Sequence, residues 1–190
     1  MRQGIEALRF VLKCYGCSAN NAYICSKRLA LRKAVFPGSF DPITIGHVEI
    51  IKRALPLFEE VVVAVGENSQ KKTLFPLEQR MQWLKEVFAD EPQIQVDAFE
   101  GLTVHFCKKI GANYLVRGLR NSSDFDYEKT ISQLNQIVGD NIETLFFISQ
   151  PAYSHISSTF VREIIKGGGD ASPFLPDPIS ISLHNPKKSI

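Results

Sequence analysis

The sequence predicts an α/β protein built on an open, parallel five-stranded sheet with helices on both faces. Two observations carry that prediction. Short β-branched runs alternate five times with segments in which apolar residues recur at three- and four-residue spacing. The clearest strand, "VVVAV" at 61–65, is apolar at every position, as a strand covered on both faces must be.

The elements follow in order. "KAVF" (33–36) reads as the first strand, and a helix from about Gly46 to Phe58 places Val48, Ile51, Leu55 and Phe58 on one face. After "VVVAV" a helix is expected over Pro76–Phe88, with Pro76 suited to its first turn and Leu77, Met81, Leu84 and Phe88 at helical spacing. "IQVDAF" (94–99) is the third strand, followed by a helix carrying Leu102, Phe106 and Ile110. "YLV" (114–116) is the fourth, followed by a long helix over Asp124–Val138 with Tyr127, Ile131, Leu134 and Val138 on one stripe. "TLFFI" (144–148) is the last strand, and a loop then leads to the helix "STFVREIIK", which the glycines at 167–169 stop.

The 190 residues suit one domain with a sizeable core, and 44% hydrophobic with 22% charged residues is ordinary for a soluble globular chain. No apolar run reaches the ~20 residues of a membrane span, and Lys13 interrupts the only apolar stretch near the start, so neither a span nor a secretory signal is expected. A cytoplasmic protein is the expectation. Residues 1–33 hold seven Lys or Arg against the single acid Glu6, a local charge of +6 within a total of +2. Residues 34–190 are therefore mildly acidic, which speaks against nucleic acid as a partner. Cys14, Cys17 and Cys25 fall in the first segment and Cys107 stands alone, a distribution that makes no disulfide framework and no complete zinc set.

Ligands of such sheets bind where strands end and helices begin, so the strand-to-helix loops are the informative places. The first, "FPGSFDPITIGH" (36–47), offers Gly38 and Gly46 for close backbone approach, a helix start with free N–H groups, and His47 in the first turn. A rigid turn with a solvent-facing histidine is the plain alternative. The fourth, "RGLRNSSDFDYE" (117–128), puts Arg117 and Arg120 at the mouth of the sheet as a double clamp for phosphate, or else as a surface pair with Asp124 or Asp126. The fifth, "YSHISSTFVRE" (153–163), supplies Ser157, Ser158 and Thr159 at a helix N-terminus, where a simple serine cap is the competing reading.

Together these segments identify a resemblance. "PGSFDPITIGH" resembles the T/H-x-G-H signature of the nucleotidyltransferase superfamily, and "ISSTFVR" its C-terminal partner signature. With "KK" at 71–72 and "RGLRNSSDFDYE", the chain is similar to the phosphopantetheine adenylyltransferases over roughly residues 33–178. The resemblance implies a Rossmann-like nucleotidyltransferase fold and transfer of the adenylyl group of ATP to 4′-phosphopantetheine, giving dephospho-CoA and pyrophosphate. It implies no covalent enzyme intermediate, so positioning and charge stabilisation would carry the rate.

Residue by residue, the resemblance implies catalytic roles for His47, Lys71 and Arg120. His47 would meet the developing charge on the α-phosphate, and Thr44 takes the first signature position. Ser39 stands where threonine is usual and would bind the acceptor phosphate, with the Phe40 backbone touching ATP. Lys71, with Lys72 as close competitor and solvated surface as the plain alternative, would hold the acceptor phosphate. Arg117 and Thr103 would contact phosphopantetheine. Gly118, Leu119, Arg120 and Glu128 would line the ATP site, and Tyr153, Ser154, His155, Ile156, Ser157, Ser158 and Thr159 would wrap triphosphate and adenine. Mg²⁺ is expected on the substrate phosphates, with no dedicated carboxylate cage. Family members also imply a homohexamer with CoA as a feedback inhibitor.

Residues 1–32 depart from the family, which starts only a few residues before the first strand. They are expected to be a disordered or non-native extension, and 179–190 a C-terminal tail. Two competing readings are a relative that adenylylates a mononucleotide such as nicotinate mononucleotide, and a non-catalytic nucleotide-binding protein on the same scaffold. The "RGLR" and "DFDYE" run speaks against the first. The combined presence of His47, a lysine after the second strand (Lys71 or Lys72), Arg117, Arg120 and Ser158 speaks against the second.

Overall fold

The computed structural model describes residues 32–67, 72–139 and 142–179, all within a compact unit, Arg32–Ile190. The expected extension, apart from Arg32, lies outside the described residues, as do Cys14, Cys17, Cys25 and Lys71. So does the expected tail, apart from Ile179, which is fully buried in the core.

Five strands, β1 (Lys33–Gly38), β2 (Glu60–Glu67), β3 (Ile94–Glu100), β4 (Tyr114–Leu119) and β5 (Glu143–Ile148), form one parallel sheet in the order β3-β2-β1-β4-β5. The helices are α1 (Ile45–Ala54), α2 (Leu77–Val87), α3 (Thr103–Ile110), α4 (Ser122–Val138) and α5 (Ser158–Lys166). The expected α/β sheet is the fold observed.

Alternation along the strands splits the core in two. Ala34, Phe36, Val61, Val63 and Val65 pack with Ile50, Ile51, Trp83, Leu84 and Val161 of α1, α2 and α5. Val35, Val62, Ala64 and Leu115 pack on the opposite face with Val104, Phe106 and Cys107 of α3. Each of the larger aliphatic side chains so buried contributes roughly 1.5–3 kcal/mol of transfer free energy. That is why β2 is continuously apolar while β3, at the sheet edge, alternates between half-buried and exposed positions.

Several expected boundaries shift for local reasons. The first helix ends at Ala54, and Leu55–Leu57 tightens into a 3₁₀ turn with Pro56 inside it. Pro76 is the N-cap of α2 rather than its first residue. β4 runs on to Leu119, so Arg117, Gly118 and Leu119 are strand residues and the fourth loop shrinks to Arg120 and Asn121. Helix α4 starts earlier than expected because Asn121 caps it, accepting from the Asp124 N–H at 2.8 Å.

The apolar stripe expected on α4 does not face the core. Tyr127 is 66% exposed, Leu134 57% and neighbouring Ile137 79%. The one buried residue of the helix is Glu128. The helix turns its acidic side inward toward β4 because Arg117 stands there to receive it.

The sheet order reverses direction between β1 and β4, the two strands leading to the loops with the signature residues. Such a switch point leaves a crevice beyond the carboxyl ends of the strands.

Candidate active site

The end of β1 and the β1–α1 loop are held by their carbonyls. Arg117 Nη1 donates to Pro37 O at 2.7 Å, Arg80 Nη1 to Ser39 O at 2.6 Å, Arg162 Nη1 to Asp41 O at 2.7 Å and Ser158 Oγ to Pro42 O at 2.8 Å. A loop tucked against four neighbours has to place its backbone acceptors somewhere, and here side chains from α2, β4 and α5 take them. The Asp41 carboxylate adds a fifth tie by accepting from the Leu74 and Phe75 N–H groups, both at 2.9 Å. Within the loop Phe40 has φ 43° with its ring buried. Gly38 lies under that ring: a Cβ there would meet Phe40 Cζ at 2.9 Å. Gly46 differs, since its nearest neighbour, Thr44 Oγ1, would stand 3.6 Å from an added Cβ. Packing does not demand glycine at 46, and the bare backbone it leaves is cavity wall.

Helix α1 begins after Thr44, and His47 occupies its third position. The Thr44 N–H points at His47 Nδ1 from 3.1 Å, and Thr44 Oγ1 lies 2.9 Å from the same nitrogen. A nitrogen that accepts a backbone N–H carries no proton, so the neutral imidazole holds its proton on Nε2. Desolvation first, then the Arg120 and Arg117 charges, lower the His47 pKa from 6.5 to about 4. The Phe36 and Phe40 rings meet the imidazole edge-on at 6.4 and 5.4 Å, so aromatic rings brace it on one side. The result is a neutral, oriented N–H donor among cations. The plain alternative of a solvent-facing histidine does not hold.

Arg117 is paired with Glu128 through both its Nε, at 2.8 Å, and its Nη2. Arg120 pairs with Asp124, Nε to Oδ2 at 2.9 Å. Burial alone would raise the Asp124 pKa, but the hydrogen bonds from Arg120 hold the carboxyl below its ordinary value. Arg120 thus makes the surface pair that the sequence left open, whereas Arg117 chooses Glu128 over Asp124 and Asp126. At α5, Ser157 caps the helix, accepting from the Phe160 N–H at 3.2 Å. Its cap role is filled, and the Ser158 hydroxyl is engaged with Pro42. What α5 offers a ligand is the unpaired N–H groups and positive end of its first turn.

Two cavities meet at this loop. The first, about 270 Å³, is lined by Ser39, Gly46, His47, Gly118, Arg120 and the start of α5. The second, about 310 Å³, is lined by Thr103, Phe99, Asn135 and Thr144. Pro37, Gly38, Ser39, Arg117 and Glu128 line both. Tyr153, Ile156, Ser157, Ser158 and Thr159 also line the first cavity. Three expected residues, Leu119, Ser154 and His155, are placed otherwise. The Leu119 side chain is buried, its carbonyl accepting from the Ser149 N–H at 2.7 Å. Ser154 turns its hydroxyl to Pro151 O at 3.1 Å, and exposed His155 does not line the cavity. Phe40 keeps its ring in the core, which leaves only its backbone for a ligand. Lys72 is exposed.

Sequence reasoning passed over Arg162 and Arg80. Arg162 lies inside the signature run "STFVR", donates to Thr159 Oγ1 at 3.1 Å and lines the first cavity. Arg80 falls three residues after Leu77 and four before Leu84, on the apolar face of α2. A cation on a core-facing stripe was the available signal.

A cytidylyltransferase-like family model matches residues 35–164. The chain is 48% identical over 151 residues to the phosphopantetheine adenylyltransferase of Flavobacterium psychrophilum, covering 80% of this chain and 99% of that one. It is 45% identical over 153 residues to the protein of that name from Limosilactobacillus reuteri, covering 80% of this chain and 88% of the relative. A solved structure assigned as a nicotinate-nucleotide adenylyltransferase of Vibrio parahaemolyticus shares the fold, with TM-score 0.61 at 19% identity over 80% of this chain and 98% of that one. With a family model matched over most of the chain and relatives of 45–48% identity covering 80% of it, the chain belongs to the phosphopantetheine adenylyltransferase family within the cytidylyltransferase-like nucleotidyltransferases.

Proposed function

We propose that this chain transfers the adenylyl group of ATP to 4′-phosphopantetheine, yielding dephospho-CoA and pyrophosphate in coenzyme A biosynthesis. The observation that carries this reading is His47: a neutral imidazole locked as an Nε2–H donor at a helix start, facing a cavity that joins a second one at Ser39. An acceptor phosphate oxygen attacks the α-phosphorus of ATP, the bond from that phosphorus to the bridging oxygen breaks, and its electron pair leaves on pyrophosphate. Charge grows on the α-phosphate oxygens as this happens. The His47 N–H, Arg120 and the first turns of α1 and α5 offset that charge. Ser39 and Arg117, which border both cavities, would hold the acceptor phosphate, with Lys71 as a further candidate. The 310 Å³ cavity, with Thr103 and Asn135, suits an extended amide-bearing arm.

Mg²⁺ fits this site as a companion of the nucleotide. Among the described residues no group of three His, Cys, Asp or Glu side chains could cage a metal, so phosphate oxygens and water would supply its ligands and the ion would neutralise triphosphate charge. Among them, too, no helix is long and apolar enough to cross a membrane, and residence in the cytoplasm is part of the same reading. The outward apolar face of α4 favours assembly into the expected homohexamer. Feedback by CoA follows from its chemistry, because it joins the acceptor's arm to an adenine nucleotide.

The test is pyrophosphate release from ATP and Mg²⁺ with 4′-phosphopantetheine or nicotinate mononucleotide as acceptor. Release with the first alone is expected. Release with the mononucleotide alone, or with neither, overturns the reading.

A further inference from the structure

Arg80 is 4% exposed, and no carboxylate among the described residues lies within 4 Å of it. Its Nε donates to Phe75 O at 3.1 Å and its Nη1 to Ser39 O at 2.6 Å. A buried cation without a counter-ion is expensive, and a neutral donor such as glutamine serves a carbonyl at lower cost. The charge therefore calls for a reason beyond capping.

The peptide that Arg80 grips is the one joining Ser39 to Phe40. In a trans peptide the C=O and N–H point in opposite directions, so fixing Ser39 O also fixes the Phe40 N–H. That N–H has no protein partner among the described residues, and Phe40 sits at φ 43°, a backbone setting that its neighbours must enforce. The Ser39 hydroxyl, on the same short segment, borders both cavities. A planar guanidinium bridging two carbonyls 36 residues apart in sequence sets the rotation of this peptide in a way that a single-point donor does not.

We infer that Arg80 is a positioning residue for binding of the acceptor phosphate: it holds the Ser39–Phe40 peptide so that the Ser39 hydroxyl and Phe40 N–H face the junction of the two cavities, and its charge favours an anion there. This rests on the adenylyl-transfer reading above. The residue touches neither cavity's contents directly and acts through Ser39.

The test uses Arg80→Met and Arg80→Lys in the full chain, with melting temperature, ATP affinity measured without acceptor, and acceptor-dependent pyrophosphate release. For Arg80→Met, kcat/KM for 4′-phosphopantetheine should fall about 100-fold, the penalty of an ångström-scale misplacement, while ATP affinity stays within about threefold. Millimolar guanidinium should restore part of the loss. Arg80→Lys keeps the charge but bridges poorly and should lose about tenfold. A lowered melting temperature with unchanged kcat/KM, or equal losses in ATP affinity and acceptor kcat/KM, would show a merely structural arginine. Should the Met variant not fold, a Lys variant with wild-type kcat/KM would overturn the positioning role on its own. Wild-type protein that releases no pyrophosphate with this acceptor refutes the functional reading itself.

Discussion

Replacing His47 by asparagine separates its two nitrogens. Asparagine Oδ1 can take over from Nδ1 as acceptor for the Thr44 N–H, preserving the helix start, but nothing replaces the Nε2–H that faces the cavity. The folded protein keeps His47 neutral down to about pH 4, while the unfolded chain protonates it near 6.5. Between those values the unfolded state binds one more proton, so stability falls as pH drops through this window and is unaffected by His47 above it. Linkage gives a loss of about 2–3 kcal/mol between pH 7.5 and pH 4.5, reduced to the extent that cleft water reaches the ring edge. His47→Asn should lack this component. Urea denaturation of both proteins at the two pH values isolates it, because carboxylates titrating in both cancel in the difference. In the same variant, kcat should fall about 10²–10³-fold with ATP affinity nearly unchanged, as expected for a donor whose partner charge grows in the transition state. Parallel stability profiles for the two proteins, or equal losses in affinity and turnover, would refute the neutral-donor argument.

Glu128→Gln removes the carboxylate that Arg117 grips and should destabilise by about 2 kcal/mol, raising KM for the acceptor more than for ATP; urea melts and steady-state kinetics read both. Gly38→Ala drives a Cβ into the buried Phe40 ring and should cost about 1–3 kcal/mol, visible as a lowered thermal midpoint. Asp124→Asn frees Arg120 from its resting partner and should tighten ATP binding severalfold at low salt, less at high salt, by calorimetric titration. Ile137→Glu puts a charge on the exposed apolar face of α4 and should lower the mass measured by light scattering if that face is an assembly surface.

The sheet was legible because burial on two faces writes itself into β2 as unbroken valine and alanine, and because the helical spacings of α1, α2 and α5 match the faces they bury. Helix α4 shows where periodicity misleads. Tyr127, Leu134 and Val138 recur as core residues would, yet the helix is oriented by the Glu128–Arg117 pair, an interaction between residues eleven apart that no apolar spacing reveals. At the site, Gly46, His47 and Arg120 were readable as ligand-facing types at strand ends. The state of His47 was not, since its tautomer depends on one backbone N–H three residues away. The supports were least legible: Arg80 and Arg162 reach their carbonyls from 41 and 121 residues away, and only the folded chain brings them there.

Those long reaches bear on how the protein comes into being. The carbonyls at the end of β1 and in the β1–α1 loop wait for donors 41, 80, 116 and 121 residues later in the chain. During synthesis the first strands can pair long before Ser158 and Arg162 leave the ribosome. A nascent chain that already holds His47 and Arg117 thus lacks a finished loop until α5 docks. The centre matures late, and in the finished protein its integrity reports on nearly the whole domain: any fluctuation that detaches α5 also loosens the first loop.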